Sequence, residues 1–431
     1  MAGIKVLRRS ALAFGCAAGV AAAVAVPVSA AHQAHREYQE RQAHQAPRAG
    51  EASRAAAAGT WRVVIAIRPA TGARVFMSSV SAPAAGDVWA VGGTLTAPDQ
   101  SYSVLEHWNG RTWKRVPVPG AGTPFFPYQV AASSAADVWV FGLDHGIASP
   151  RWAHWNGRSW TAGPLPVIKV AGDASPAVTI TAAASAGPGG VWVAGTVADQ
   201  DSKFGLPAQA FLASYDGHTW RVYPVPRSMP DVVGISALSR TDVWAAATGG
   251  QGTSGVGAST SDGNVLLHWN GRSWQSIPAP KNVSIAAVAG ESAHSAWIAG
   301  SMPGKGPDHL TSVAGAGYWN GQRWTLVTDP AADAHFPQTG YVDQLTSAVP
   351  DGRGGLWAVA EPYPPLIGSL PGPASLWHYT KGRWTGTQPG DLDLFQLAEV
   401  PGTTSIWAAG TAVTTAAPGY PEDGLILRYQ G

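Results

Sequence analysis

The sequence predicts an all-β fold, a seven-bladed β-propeller of four-stranded blades, and three features carry that expectation. The first is a hairpin motif. Trp108-Asn109-Gly110-Arg111-Thr112-Trp113 recurs at residues 155–160, 215–220 (opened by Tyr215), 269–274 and 319–324, and more loosely at 379–384. The second is a strand motif, Asp87-Val88-Trp89-Ala90-Val91-Gly92, whose central tryptophan returns at 139, 192, 244, 297, 357 and 407. Those tryptophans lie 50 to 60 residues apart, a period that suits one four-stranded blade. The third is a divided copy of the hairpin motif. Tyr429-Gln430-Gly431 begins a seventh copy, and Gly59-Thr60-Trp61-Arg62-Val63 supplies its second half. A strand over 60–66 is therefore expected to pair with one over 423–429, closing the ring and removing the open edge of a linear array.

Each repeat parses into four strands, a to d. In the first, strand a falls near 75–81, b at 87–92, c near 103–108 and d near 112–117. The c–d link is Asn109-Gly110, a strong signal for a tight type I′ hairpin, since both central residues of that turn need positive φ. Asn156-Gly157, Asp216-Gly217, Asn270-Gly271 and Asn320-Gly321 repeat it, and Thr380-Lys381-Gly382 replaces it in the sixth repeat. Prolines at 117, 119, 224, 226, 278 and 280 close strand d. A residue without an N–H is tolerated on an outermost edge. Strand b is apolar on both faces, as expected where each blade is covered on either side. Its tryptophans fill the gaps between blades, each burying on the order of 200 Å².

The 431 residues are 45% hydrophobic and 13% charged, ample for a large core. A formal net charge of +1 favours neither nucleic acid nor an anionic membrane as partner. Residues 1–30 read as an export signal: Lys5, Arg8 and Arg9 precede an apolar stretch, Ala11 to Val28, and Val28-Ser29-Ala30 offers a cleavage site. An uncleaved anchor is the alternative, and it is the one membrane contact expected. Residues 31–58, rich in Ala, Gln, Glu, Arg and His, read as a solvated linker. Residues 59–431 form the propeller, expected as a monomer that is secreted or held at the extracytoplasmic cell surface. Cys16, the single cysteine, lies within the signal, so the processed chain would hold by packing and not by disulfides.

A strand ending in Val91-Gly92-Gly93, followed by an aromatic before a turn and a tryptophan after it (Trp108, Trp113), resembles the kelch repeat, the family that includes the central propeller domain of galactose oxidase. The stretch Ser214 to Trp220 resembles the Asp-box of sialidase-like propellers. Both resemblances imply the propeller architecture. The galactose oxidase copper-radical site is not implied, because the processed chain lacks the cysteine that such a Tyr–Cys crosslink needs. The arginines here lie mostly in repeat turns (Arg111, Arg158, Arg272, Arg323, Arg383), which argues against a sialidase-like arginine triad.

Repetition separates scaffold from site. His107, His154, His268 and His378 all precede the strand-c aromatic, and recurrence implies packing. Asp87, Asp137 and Asp242 open strand b and are expected to accept backbone N–H bonds in the a–b turn. The candidates are the unrepeated residues of the face shared by the d–a and b–c connections, where the b–c loops are long (93–102, 143–150, 196–207, 248–262, 301–313, 361–373 and 411–422). They are Phe125, Tyr128, Asp144, His145, Asp199, Asp201, Asp308, His309, His335, Tyr341 and Glu361. Aromatic rings beside carboxylates suit a sugar, with a ring on the apolar pyranose face and acids on its hydroxyls. Asp199 and Asp201 could offer oxygens to Ca²⁺; no other cofactor is expected. A binding module for carbohydrate or protein is the leading expectation. The alternatives are a sialidase-like or lyase-like enzyme using loop carboxylates, and a structural envelope protein tethered by residues 11–28.

Overall fold

The computed structural model describes residues 60–68, 73–96, 100–117, 125–144, 150–166, 177–198, 207–226, 228–229, 231–249, 263–303, 312–328, 342–363, 374–412 and 423–430. Strand β1 (Thr60–Ile67) is followed by six complete quartets. Blade 1 holds β2 (Ala73–Ala84), β3 (Asp87–Thr96), β4 (Gln100–Trp108) and β5 (Trp113–Arg115); blade 2 holds β6 (Phe125–Ser134), β7 (Asp137–Asp144), β8 (Pro150–Trp155) and β9 (Trp160–Pro164). Blade 3 holds β10 (Ala177–Ser185), β11 (Val191–Ala198), β12 (Pro207–Tyr215) and β13 (Trp220–Pro224); blade 4 holds β14 (Asp231–Ser239), β15 (Asp242–Thr248), β16 (Val265–Trp269) and β17 (Trp274–Pro278). Blade 5 holds β18 (Ser284–Ser292), β19 (Ser295–Pro303), β20 (Ser312–Trp319) and β21 (Trp324–Thr328); blade 6 holds β22 (Val342–Pro350), β23 (Leu356–Tyr363), β24 (Ser375–Thr380) and β25 (Arg383–Thr387). Blade 7 takes β26 (Leu392–Glu399), β27 (Ile406–Ala412) and β28 (Gly424–Gln430), with β1 as its outer strand.

The ring closes as the divided motif implies. β1 pairs antiparallel with β28 from Thr60 opposite Gln430 to Ile67 opposite Gly424. Trp61 and Tyr429 form the aromatic pair that one chain segment supplies in the other blades, with centroids 5.5 Å apart. The first strands of the seven blades touch in sequence, and β2 of blade 1 touches β26 of blade 7.

Aromatic packing interlocks neighbouring blades. In each case the strand-b tryptophan receives the c–d aromatic pair of the next blade. Trp407 of blade 7 meets Trp108 and, edge-on at 5.8 Å, Trp113 of blade 1. Trp139 meets Tyr215 and Trp220, Trp192 meets Trp269 and Trp274, and Trp357 meets Tyr429 and Trp61. Edge-to-face rings set a positive edge against a negative face. The strand-b tryptophans Trp139, Trp244 and Trp407 are each only 1% exposed.

Two local expectations are corrected. The c–d links at Asn-Gly are four-residue connections and not two-residue type I′ turns: Trp108 pairs directly with Trp113, and of the intervening residues only Gly110 has positive φ. The reason is the asparagine side chain, whose Oδ1 accepts the N–H groups of Arg111 and Thr112 at 3.0 Å each. Asn156, Asp216, Asn270 and Asn320 do the same. The two-residue turn with both φ positive occurs in blade 6, at Lys381 and Gly382. The strands also run farther toward the long-connection face than expected, so the links begin later. β3 continues to Thr96 and β23 to Tyr363.

All seven inner strands carry a bulge at the same level. The residue skipped in the pairing is Ser78, Tyr128, Thr181, Val233, Ala286, Thr346 or Phe395. The bulge drives a carbonyl over strand b where the motif ends in glycine, whereas Ala247 and Ala360 hold that position in blades 4 and 6. A Cβ on Gly92, Gly142, Gly300 or Gly410 would lie 1.9 to 2.1 Å from the carbonyl oxygen of Phe76, Phe126, Ser284 or Asp393. Polar side chains beside the bulges then tie blade to blade. Ser79 accepts from Val130 N–H, Ser347 accepts from Leu397 N–H, and Gln396 accepts from Val80 N–H across the closing seam.

Candidate functional site

The bulges give the central channel a defined register. One residue before each bulge stand Met77, Pro127, Ile180, Val232, Ile285, Leu345 and Leu394, all buried between blades. The bulge residues themselves are all half-buried. Two residues before the bulge, at the same level in every blade, comes a second tier nearer the long-connection face. It reads Phe76, Phe126, Thr179, Asp231, Ser284, Gln344 and Asp393 around the ring. Phe126 is buried, Thr179 exposed and the other five half-buried. Both tiers lie on the inner strands, which face one another around the ring.

The deeper tier is uncharged and partly consumed by the scaffold. Tyr128 Oη accepts the Ile180 N–H of the next blade at 3.0 Å. Ser78 donates to the Tyr128 carbonyl and Thr181 to the Val232 carbonyl. The outer tier is different. Asp231 Oδ1 is enclosed and has no hydrogen-bond partner among the described residues. Burial pushes its carboxyl above the usual carboxylate range, opposed only by the Val232 N–H. Phe76 and Phe126 lie together, centroids 6.2 Å apart and planes at 45°.

The sequence-predicted residues divide into three groups. Phe125 and Tyr128 stand on β6, inside the sheet and not in a d–a loop; Phe125 is buried against blade 1 and blade 2 side chains. Asp144 ends β7 opposite Phe125, and Glu361 lies on β23 opposite Gln344, so both are strand residues at the long-connection face. His145, Asp199, Asp201, Asp308, His309, His335 and Tyr341 lie outside the described residues. Sequence reasoning did not single out Phe76, Asp231, Gln344 and Asp393, which stand together on the outer tier. The start of strand a has no motif to set its register, and the bulge that does so was not foreseen.

The repeated histidines are structural. His107 Nε2 meets Asp87 Oδ1 at 2.9 Å while its ring stacks on Trp89 at 4.0 Å. His154, His268 and His378 do the same with Asp137 and Trp139, Asp242 and Trp244, and Asp351 and Trp357. Strand register dictates this, since each histidine is paired directly opposite its tryptophan. The strand-b aspartates thus accept from histidine rings, where backbone donors of their own turn were expected. Asp137 adds Ser133 Oγ and the Gly189 N–H of blade 3. Burial alone would raise its carboxyl, but the bonds from His154, Ser133 and Gly189 outweigh it and hold it below 3.8. Asp351 alone among these carboxylates takes its own turn, accepting from Arg353 and Gly355 N–H. In blade 7 Arg428 occupies the histidine position, its guanidinium 5.1 Å from the Trp407 ring centroid.

Among the described residues no group of three His, Cys, Asp or Glu side chains could hold a metal, and no helix is long and apolar enough to cross a membrane. No family model matches the chain, and no curated protein matches it in sequence. Solved structures do resemble it. The β-propeller domain of the trilobed protease from Pyrococcus furiosus, described as having an open velcro topology, aligns with a TM-score of 0.51 at 8% identity, over 83% of this chain and 94% of that one. YCF48 bound to a D1 peptide aligns with a TM-score of 0.47 at 13% identity, over 88% of this chain and 99% of that one. The sialidase of Trypanosoma rangeli aligns with a TM-score of 0.46 at 10% identity, over 87% of this chain and 60% of that one. At such identities the shared property is the propeller fold. No family match extends the kelch-like resemblance beyond that fold.

Proposed function

We propose that this chain is a secreted or surface-held binding module that takes a carbohydrate at its long-connection face. One observation carries the reading. The scaffold positions repeat from blade to blade: the strand-b tryptophan in all seven, the Asx-capped turn in five and the Asp–His pair in four. The outer channel tier repeats in none of this. It sets two phenylalanines, two hydroxyls, an amide and two carboxylates in one ring. A position freed from the repeat is under a demand other than packing, and aromatic, hydroxyl, amide and acid groups together suit a polyol with an apolar ring face. The export-signal reading of residues 1–30 supports placement outside the cytoplasm.

Glycan-array screening of the full chain tests this. Binding is expected, and Phe76→Ala with Gln344→Ala should reduce it by on the order of tenfold or more while leaving the unfolding midpoint in place. Retention of only protein ligands on the same surface would overturn the carbohydrate reading. A second reading, glycoside hydrolysis, draws on Asp231, whose carboxyl is raised by burial, and Asp393 on the same tier. Turnover of an arrayed glycan that Asp231→Asn abolishes would select it.

A further inference from the structure

The net charge of +1 averages two unlike faces. Between the strands, the short a–b and c–d turns hold seven arginines and lysines against two carboxylates, Asp216 and Asp351. The long connections at the other end hold six against eleven. Five of the seven cations sit in c–d turns, one to a blade: Arg111, Arg158, Arg272, Arg323 and Lys381. All five are exposed, and none forms an ion pair among the described residues. Arg240 and Arg353, also exposed, join them from the a–b turns. The turn itself does not require these arginines. The Asn109 oxygen and the positive φ of Gly110 build it, and Arg111 contributes only a backbone N–H that any residue except proline supplies.

The carboxylates of this end are drawn into the blades. Asp87, Asp137 and Asp351 are buried and Asp242 and Glu291 half-buried, bonded to His107, His154, His378, His268 and Tyr318. Asp216 accepts the His218 and Thr219 N–H groups, and Glu399 is half-buried at the end of β26. The outermost charge of the short-turn face is therefore positive.

Its shape and its place in the chain point to one kind of partner. In blades 1, 2, 4 and 5 the same directly opposed tryptophan pair flanks the turn, so the tips stand at one level around an annulus and do not line a groove. The Trp and Tyr residues flanking the c–d turns are half-buried or buried, which leaves no indole or phenol ring for a nucleotide base to stack on. The chain also enters the fold at this end. Thr60 lies opposite Gln430 and Trp61 opposite Tyr429, at the level where the other blades turn from c to d. The sequence ahead of Thr60 reads as a linker behind the apolar stretch Ala11 to Val28.

We infer that the short-turn face docks flat on an anionic phospholipid surface and so turns the long-connection face outward. Each exposed cation held near such a surface strengthens binding by roughly fivefold. Docking is independent of what the opposite face binds.

The test is cosedimentation of the full chain with vesicles of phosphatidylcholine alone and of phosphatidylcholine mixed with phosphatidylserine. The mixed vesicles should bind at least about tenfold more tightly at ~0.15 M salt, and the preference should vanish at ~0.5 M. Arg111→Gln, Arg158→Gln, Arg272→Gln and Arg323→Gln combined should weaken binding to mixed vesicles by about tenfold or more, with unchanged binding to neutral vesicles and an unchanged unfolding midpoint. Arg272→Gln with Arg323→Gln alone should give an intermediate loss, which keeps the test if the combined variant does not fold. Arg68→Gln with Lys281→Gln, both exposed on the long-connection face, should leave the preference in place. Equal, salt-independent binding to both vesicle types, as insertion of the apolar stretch alone would give, overturns the docking. So does a loss from Arg68→Gln with Lys281→Gln as large as that from the turn arginines. A DNA duplex that displaces mixed vesicles through the same arginines assigns the face to nucleic acid and also overturns it.

Discussion

Glu399 offers a perturbation whose size can be worked out. It ends the inner strand of blade 7, and burial, with Asp351 and Glu291 adding like charge, pushes its carboxyl from 4.5 to about 7. Neither neighbour can relieve it. Asp351 is committed to His378 and to the Arg353 and Gly355 N–H groups, and Glu291 to Tyr318 Oη and Ser295 Oγ. The folded protein holds the Glu399 proton up to about pH 7, whereas the unfolded chain releases it near 4.5. Between those values the native state binds more protons, so stability falls as pH rises and levels off above pH 7. The interval from 4.5 to about 7, at ~1.4 kcal/mol per pH unit, bounds the loss at ~3 kcal/mol. Glu399→Gln keeps the shape of the protonated acid and removes the titration. Urea unfolding of both proteins from pH 4.5 to 8 should give equal stabilities at the acid end. At pH 8 the variant should be ahead by up to ~3 kcal/mol. A constant difference across that range, or none at pH 8, would refute the reasoning.

Three further outcomes follow from the packing. Gly300→Ala puts a Cβ 1.9 Å from the Ser284 carbonyl oxygen and should cost ~1–3 kcal/mol in chemical denaturation. Thr60→Cys with Gln430→Cys, in a Cys16→Ser background, joins residues paired across the closing seam and should form a disulfide in air, seen as altered mobility on a non-reducing gel. Asp137, with its carboxyl held below 3.8, stabilises the fold above that pH and loses the contribution as pH falls through its folded value. Asp137→Asn should flatten the acid limb of the stability profile below pH 4 and leave the Glu399 window untouched.

The blade count and the shared closing blade were legible because tryptophan recurs at fixed places and packing leaves it no freedom. The Asp–His pairs were half legible. Both residue types recur, but only the register of Trp89 against His107 shows that they meet. The hairpins misled, because Asn109-Gly110 satisfies the composition of a tight turn while the asparagine side chain builds a wider one. The bulges left a mark in Gly142 and Gly300 that reads as motif punctuation until the carbonyl above each glycine is seen. Most of the loop residues singled out lie outside the described residues. Phe76 and Asp231 were not legible from the sequence, since strand a carries no recurring residue from which to count.

The central claim is that the repeated residues are scaffold and the unrepeated tier is the site. Its most direct test measures unfolding midpoint and sugar affinity together on one set of substitutions: Phe76→Ala, Asp231→Asn and Gln344→Ala in the tier, and Trp139→Ala and His154→Ala in the frame. Tier variants are expected to lose affinity and keep their midpoints, whereas frame variants lose stability, with Trp139→Ala down by ~3–5 kcal/mol. Tier variants that unfold as readily as the tryptophan variant, or that bind as the parent does, would contradict the claim.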